Sequence, residues 1–132
     1  MAIRDLRSLF VLAHSLAHDI SEDALELEKR LAHLRFYAAQ VGDAGISTLA
    51  HVASASALVP PVDLHARVEL RTALYGALEA LDRLSLLVRR LHERDQVDPA
   101  VIDRLRRHSE ELTAVIRALI AECNRSYGLR TA

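Results

Sequence analysis

Cysteine, proline and glycine are all scarce in this 132-residue chain. The single cysteine, Cys123, excludes a disulfide framework and any metal or cluster site that needs several thiolates. With only 4 glycines and 3 prolines, and with 51% hydrophobic and 27% charged residues, the composition excludes collagen-like and disordered proteins. The length and this composition are typical of one folded domain.

Long apolar runs and an excess of charge of one sign are also missing. No apolar run approaches the ~18 residues that a membrane span needs. Arg4, Asp5 and Arg7 stand where a signal peptide needs an apolar stretch. The net charge of −1 argues against a general nucleic-acid binder. We therefore expect a cytoplasmic protein that does not associate with membranes.

The periodicity of the apolar residues is helical almost throughout. Turn signals occur at 41–45, 59–63 and 95–99, and the alternation that a half-buried strand needs is absent between them. The sequence predicts an all-α protein, an antiparallel bundle of four helical segments with a loose tail at 127–132. We place the segments at about 2–41, 46–59, 63–94 and 99–126.

The first segment carries the most regular apolar pattern in the chain. Its apolar residues are spaced three and four apart without interruption at positions 3, 6, 10, 13, 17, 20, 24, 27, 31, 34, 38 and 41. This heptad pattern predicts one long helix of roughly 60 Å. The alternative is a break at residues 19–22, where Asp19 could cap a new helix and Glu22 stands at the capping-box position.

Local signals mark the other helix boundaries. Pro60 and Pro61 end the second helix, because proline lacks the N–H group and restricts the residue before it. Asp63 and Asp98 are predicted N-caps, and Gly128 ends the last helix. Two arrangements remain open: the double proline reverses the chain, or it kinks one long middle arm.

The apolar stripe on the first helix is longer than any partner helix in the same chain. Its uncovered part would expose large hydrophobic side chains, which usually indicates an interface between subunits. We therefore predict a homo-oligomer whose interface contains Phe10, Ile20, Leu27, Leu31 and Leu34.

Three residues of the first helix form a candidate metal site. His14, His18 and Glu22 are spaced four apart and so share one helical face. Imidazole and carboxylate ligands in this pattern suit a divalent transition metal. The competing interpretation is a solvated polar stripe beside the apolar seam.

Arginines concentrate around the turn that joins the last two helices. Six of them form the candidate site for a ligand or partner: Arg89, Arg90, Arg94, Arg104, Arg106 and Arg107. Positive charge at this end could attract a phosphate, a nucleic acid or an acidic protein. The interleaved acids Glu93, Asp95, Asp98 and Asp103 favour instead a self-neutralised, solvated end.

No recognisable catalytic pattern is present in the chain. It lacks a glycine-rich phosphate loop and a nucleophile elbow, and Cys123 stands on a helical seam with no histidine beside it. The leading hypothesis is a non-enzymatic, self-associating bundle that acts as an adaptor, accessory subunit or regulatory module with a protein partner. The alternatives are a metal- or cofactor-binding bundle that uses His14 and His18, and a nucleic-acid-associated module that uses the arginines.

Overall fold

The computed structural model describes residues 5–31, 34–93 and 98–129, and over these residues it is all-α, as predicted. The four helices are α1 (Leu6–Arg30), α2 (Arg35–Ala57), α3 (Leu64–Glu93) and α4 (Pro99–Tyr127). Within this part of the chain the backbones of α1 and α3 each lie close to those of both α2 and α4, whereas the backbones of the diagonal pairs do not approach closely. The helices therefore form a closed square, which confirms the predicted four-helix bundle.

Neighbouring helices run in opposite directions. Gly42, the earlier glycine of α2, lies against Glu28 of α1, and Gly45, the later one, lies against Ala24. The two helices are therefore antiparallel. The arginine-rich end of α3 likewise lies beside the first turns of α4. The segment with Pro60 and Pro61 is consequently a chain reversal between α2 and α3, and the Val59–Pro60 peptide bond within it is cis.

The prediction of one helix from 2 to 41 is wrong, and so is the alternative break at residues 19–22. The chain reverses between Arg30 and Arg35, where the Leu34 N–H donates to the Leu31 carbonyl oxygen at 2.7 Å. The apolar stripe continues through this turn because Leu31 is fully buried and Leu34 packs on the core. Folding the stripe back on itself lets its two halves cover each other, which a 60 Å helix could not do.

The glycines at 42 and 45 lie inside α2 rather than in the turn that the sequence predicted there. A Cβ atom on Gly45 would stand 2.5 Å from the Cβ of Ala24, and the Glu28 carboxyl group covers Gly42. The missing side chains thus let α1 and α2 approach closely. Three alanines further along α2, Ala50, Ala53 and Ala57, are exposed and take no part in this close approach.

The capping predictions for the last two helices are confirmed. The Asp63 carboxylate accepts from the Ala66 N–H at 2.8 Å, and that of Asp98 accepts from the Ala100 N–H at 3.0 Å. Gly128 ends α4 in the left-handed region, with φ 67° and ψ 44°. A Cβ atom would be strained in this conformation, so glycine, which has none, ends the helix without steric cost.

The core runs along the whole length of the bundle. Its largest fully buried side chains belong to α1, α3 and α4, and include Ile20, Leu27, Leu81 and Ile116. Part of the predicted loose tail is ordered, because Tyr127 is helical and Leu129 is buried against this core. Residues 130–132 lie outside the described part of the chain. Over the described residues, none of the helices has the length and apolar composition of a membrane span.

Candidate functional site

A groove of about 430 Å³ lies between the end of α3 and the start of α4. Its buried lining comes from Val88, Ile102, Leu105 and Ser109. Its exposed rim consists of Ser85, Arg89, His92, Asp103, Arg106 and Glu110. The short side chains of the two serines leave space between the facing helices. The groove thus combines an apolar floor with a charged rim, in the region where the sequence predicted a ligand site.

Of the five predicted arginines that the structure describes, two line this groove. Arg89 stands on its α3 side and Arg106 on its α4 side, where Arg106 pairs with Asp103 at 3.2 Å. Arg90 and Arg107 are exposed and lie outside the lining. Among the described residues, Arg89, Arg90 and Arg107 form no ion pair, so their charge is available to a ligand. The structure therefore narrows the predicted cluster to a smaller site around Arg89.

Arg104 is engaged elsewhere, in a contact between α4 and α1. Its guanidinium lies 3.1 Å from one carboxylate oxygen of Asp23, and Nδ1 of His108 lies 3.2 Å from the other. The Asp23 side chain is 14% exposed, so solvent screens these interactions less than it screens a surface pair. We call this group the Asp23 clamp. The Asp23 clamp thus joins α1 to α4. Arg94, the last of the predicted arginines, lies outside the described residues.

The sequence contained a signal for the Asp23 clamp that was not recognised. Residues 19–28 form an acidic block and residues 104–108 form a basic one, and the sequence alone does not show that the two blocks meet. In an up-and-down bundle the first and last helices become neighbours, which brings these blocks of opposite charge together.

The predicted metal site is only partly assembled. His18 and Glu22 approach each other, with 3.8 Å between Nδ1 and Oε1, and Asp19 joins them so that the three possible ligand atoms lie within 4.8 Å. His14 is not a member of this group; it lies by Arg7 in a shallow groove near the start of α1. The cluster is at the surface of a single helix and follows from its spacing alone. It does not by itself indicate a metal.

The bundle of a single chain already covers the residues that were predicted to form the oligomer interface. Phe10, Ile20, Leu27 and Leu31 are buried, and Leu34 is partly buried against the core. The stripe is not longer than its partners, because the reversal after Arg30 divides it between two helices that pack on each other. Any contact between copies must use another surface.

Such a surface exists on the outer face of α3. Leu64, Val68, Tyr75 and Leu86 point away from the core and are between 43% and 54% exposed. The predicted interface contained no residue of this face. Over Tyr75 lies the guanidinium of Arg71, 5.7 Å from the ring centroid, in a cation–π contact.

Cys123 is fully buried in α4, at the seam position that the sequence predicted. Burial, with a smaller contribution from the charge of Glu122, raises the pKa of its thiol to about 11. The thiolate is the reactive form of cysteine, so this side chain is unreactive at neutral pH.

The raised pKa of Cys123 predicts a loss of stability in alkaline solution. In the unfolded chain the thiol ionises at a lower pH, so its contribution is complete below the unfolded pKa and disappears as the pH rises through the folded pKa of about 11. We expect the stability advantage of the native chain over Cys123→Ala to shrink between pH 8 and pH 10. Urea unfolding of both proteins at each pH measures this, and an advantage that grows with pH would contradict it.

Comparison with known proteins adds no relative to this description. The chain matches no protein family model, no curated protein and no solved structure.

Proposed function

We propose that the protein is a non-catalytic interaction module, an adaptor or accessory subunit, that self-associates through the outer face of α3. The observation that carries the proposal is the set of exposed apolar side chains on that face: Leu64, Val68, Tyr75 and Leu86. The opposite face of α3 is already buried in the bundle, so these residues have no role in the core.

Leaving these apolar side chains exposed to water has a free-energy cost. Burial of apolar surface contributes roughly 25 cal/mol per Å², and the four side chains are about half exposed. Single exposed apolar residues are ordinary, but these four share one face of a 30-residue helix. The same face carries Tyr75 and Arg71, and tyrosine and arginine are among the residue types that contribute most of the binding energy in protein interfaces.

The non-catalytic part of the proposal rests on the chemistry of the groove and of Cys123. The one thiol is buried with a raised pKa, which removes it as a nucleophile. In the groove the carboxylate of Asp103 is already paired with Arg106. The Asp103–Arg106 pair is better suited to recognition of a charged partner than to proton transfer.

The test is the mass of the protein in solution as a function of concentration. We expect light scattering to report a mass above 14.7 kDa that falls on dilution. Tyr75→Glu should shift the protein toward the monomer, whereas Val11→Glu, at an exposed apolar position on α1, should not. A monomer mass at every concentration would contradict self-association.

The α3–α4 groove supports a second candidate function, the binding of an anionic ligand. Arg89 supplies an unpaired cation, within the described residues, beside an apolar floor. Since Asp103 and Glu110 share the rim, we expect weak binding that depends strongly on salt.

A titration with inorganic polyphosphate at low and high salt tests the groove. We expect Arg89→Glu to weaken binding at least tenfold, because it reverses a charge in the lining. Arg117→Glu is the matched control, since Arg117 is an exposed arginine of α4 outside the lining. Equal losses in the two variants would show that binding reflects overall charge and not this site.

A further inference from the structure

We propose that the outer face of α3 binds the same face of a second copy, antiparallel, across a two-fold axis that passes beside Tyr75. This inference rests on the proposed self-association and specifies its geometry. Its basis is a symmetry in the sequence of α3 that becomes meaningful only because the structure exposes this face.

Two of the apolar residues on this face, Leu64 and Leu86, are placed symmetrically about Tyr75. Leu64 stands eleven residues before it and Leu86 eleven residues after it. Eleven residues complete about three helical turns and roughly 16 Å, so all three side chains share one face. A two-fold axis beside Tyr75 brings Leu64 of each copy against Leu86 of the other, and brings the two tyrosines together.

Two charged residues on this face are also placed symmetrically about Tyr75, and their charges are opposite. Arg71 precedes Tyr75 by four residues and Glu79 follows it by four, and both are exposed. The antiparallel arrangement therefore places each Arg71 beside Glu79 of the other copy, and this pair forms twice. Asp82, one turn beyond Glu79, lies within reach of the same arginine and also faces Val68.

This pattern selects a second copy over other occupants of the face. An interface with two-fold symmetry must be complementary to itself, so each contact must occur in both directions. Leu64 with Leu86 and Arg71 with Glu79 satisfy this condition, apolar against apolar and cation against anion, whereas Val68 lies opposite Asp82. A parallel pairing would instead place Arg71 against Arg71 and Glu79 against Glu79, which is repulsive.

The contact between Arg71 and Tyr75 prepares the face for binding. With the guanidinium 5.7 Å from the ring centroid, both side chains already occupy the exposed face in the single chain. Side chains that are held before association lose less conformational freedom when the partner arrives.

Charge exchange on the full chain tests the geometry. Arg71→Glu and Glu79→Arg should each weaken self-association about tenfold, because each creates two like-charge contacts. An equimolar mixture of the two variants should form a heterodimer with restored affinity, and the double variant should recover the homodimer. Circular dichroism melts confirm that each variant is folded, as expected for exposed positions.

Cysteine cross-linking gives a second measurement that does not depend on charge. Tyr75→Cys should form disulfide-linked dimers under mild oxidation. Leu64→Cys and Leu86→Cys should not cross-link alone but should cross-link when mixed. The unmodified chain is the control, because its Cys123 is buried.

The possible results separate this inference from the proposed function. A dimer that shows neither the rescue by mixing nor the cross-link at position 75 would overturn the two-fold geometry while self-association stands. Affinity rescued by mixing, together with that cross-link, would establish the geometry. A monomer at every concentration would overturn both proposals, and recovery of a different protein on this face would overturn the second copy as its occupant.

Discussion

Replacing Leu27 with glutamate should unfold the protein. Leu27 is fully buried in the bundle core, so the change removes a packed aliphatic side chain and introduces a carboxylate into an apolar site. Loss of the leucine contacts costs about 2–5 kcal/mol, and an unpaired buried charge costs several kcal/mol more. Together these approach the ~5–15 kcal/mol that typically stabilises a domain. We expect loss of the helical circular dichroism signal and of the cooperative thermal transition.

Leu25→Glu is the matched control on the same helix. Leu25 lies two residues earlier in α1 and is 37% exposed, so its replacement should lower the melting temperature far less. The pair also distinguishes burial in the core from a role in association. If Leu27→Glu yielded a folded monomer with an unchanged melting temperature, this residue would belong to an interface and the bundle would be packed differently.

Gly45→Ala should destabilise the protein although alanine is the better helix former. Alanine gains about 1 kcal/mol in helix propensity, but its Cβ would stand 2.5 Å from the Cβ of Ala24. That methyl is fixed directly to the backbone of α1 and cannot rotate away, so the two helices must separate. Overpacking of this kind costs about 1–3 kcal/mol, and separation also loosens the surrounding core. We expect a melting temperature several degrees lower.

Gly76→Ala provides the opposite case on α3. The new Cβ would meet only the ring of His51, 2.6 Å from Cε1, and that ring is the far end of a partly exposed side chain that can turn aside. Here the gain in helix propensity should prevail and raise the melting temperature slightly. Stabilisation by both substitutions, measured in the same thermal scans, would mean that α1 and α2 do not approach closely at Gly45.

Helix ends with a local chemical signal could be predicted from the sequence. Asp63, Asp98 and Gly128 each act through a backbone group within a few residues, so their effect depends little on the rest of the fold. The turn between Arg30 and Arg35 has no such signal, because it contains neither glycine nor proline. It forms because two apolar stretches can bury each other, and that is a property of the whole bundle.

The structural role of the glycines of α2 could not be predicted from the sequence either. A glycine can indicate a turn or a close approach of two helices, and only the packing partner decides between them. With Gly42 and Gly45 interpreted as a turn, the first helix became too long, and the apolar stripe then seemed to lack a partner. The prediction of an oligomer interface on the first helix followed directly from that boundary.

The position of the candidate site could be predicted from the sequence, but the residues that line it could not. The concentration of arginines around one turn located the end of the bundle where the groove lies. Sequence spacing could not show that Arg104 faces Asp23, 81 residues away in the chain, while Arg89 faces the groove. A related reason applies to the exposed face of α3. Val68, Tyr75 and Leu87 all border the apolar positions of this helix, and sequence spacing could not show that Leu87 is buried while the other two are exposed.

The Asp23 clamp also has a consequence for the order in which the protein folds. The contacts between α1 and α2, α2 and α3, and α3 and α4 each join helices that are consecutive in the chain, whereas His108 and Asp23 are separated by 85 residues. Local hairpins form at lower entropic cost than a closure across most of the chain, so the contact between α1 and α4 should form after the folding transition state. Asp23→Ala should then leave the folding rate nearly unchanged and speed unfolding about fivefold, the equivalent of ~1 kcal/mol, in stopped-flow measurements. The square of helices would thus be assembled as three successive hairpins, with its last side acting as a latch on the folded state.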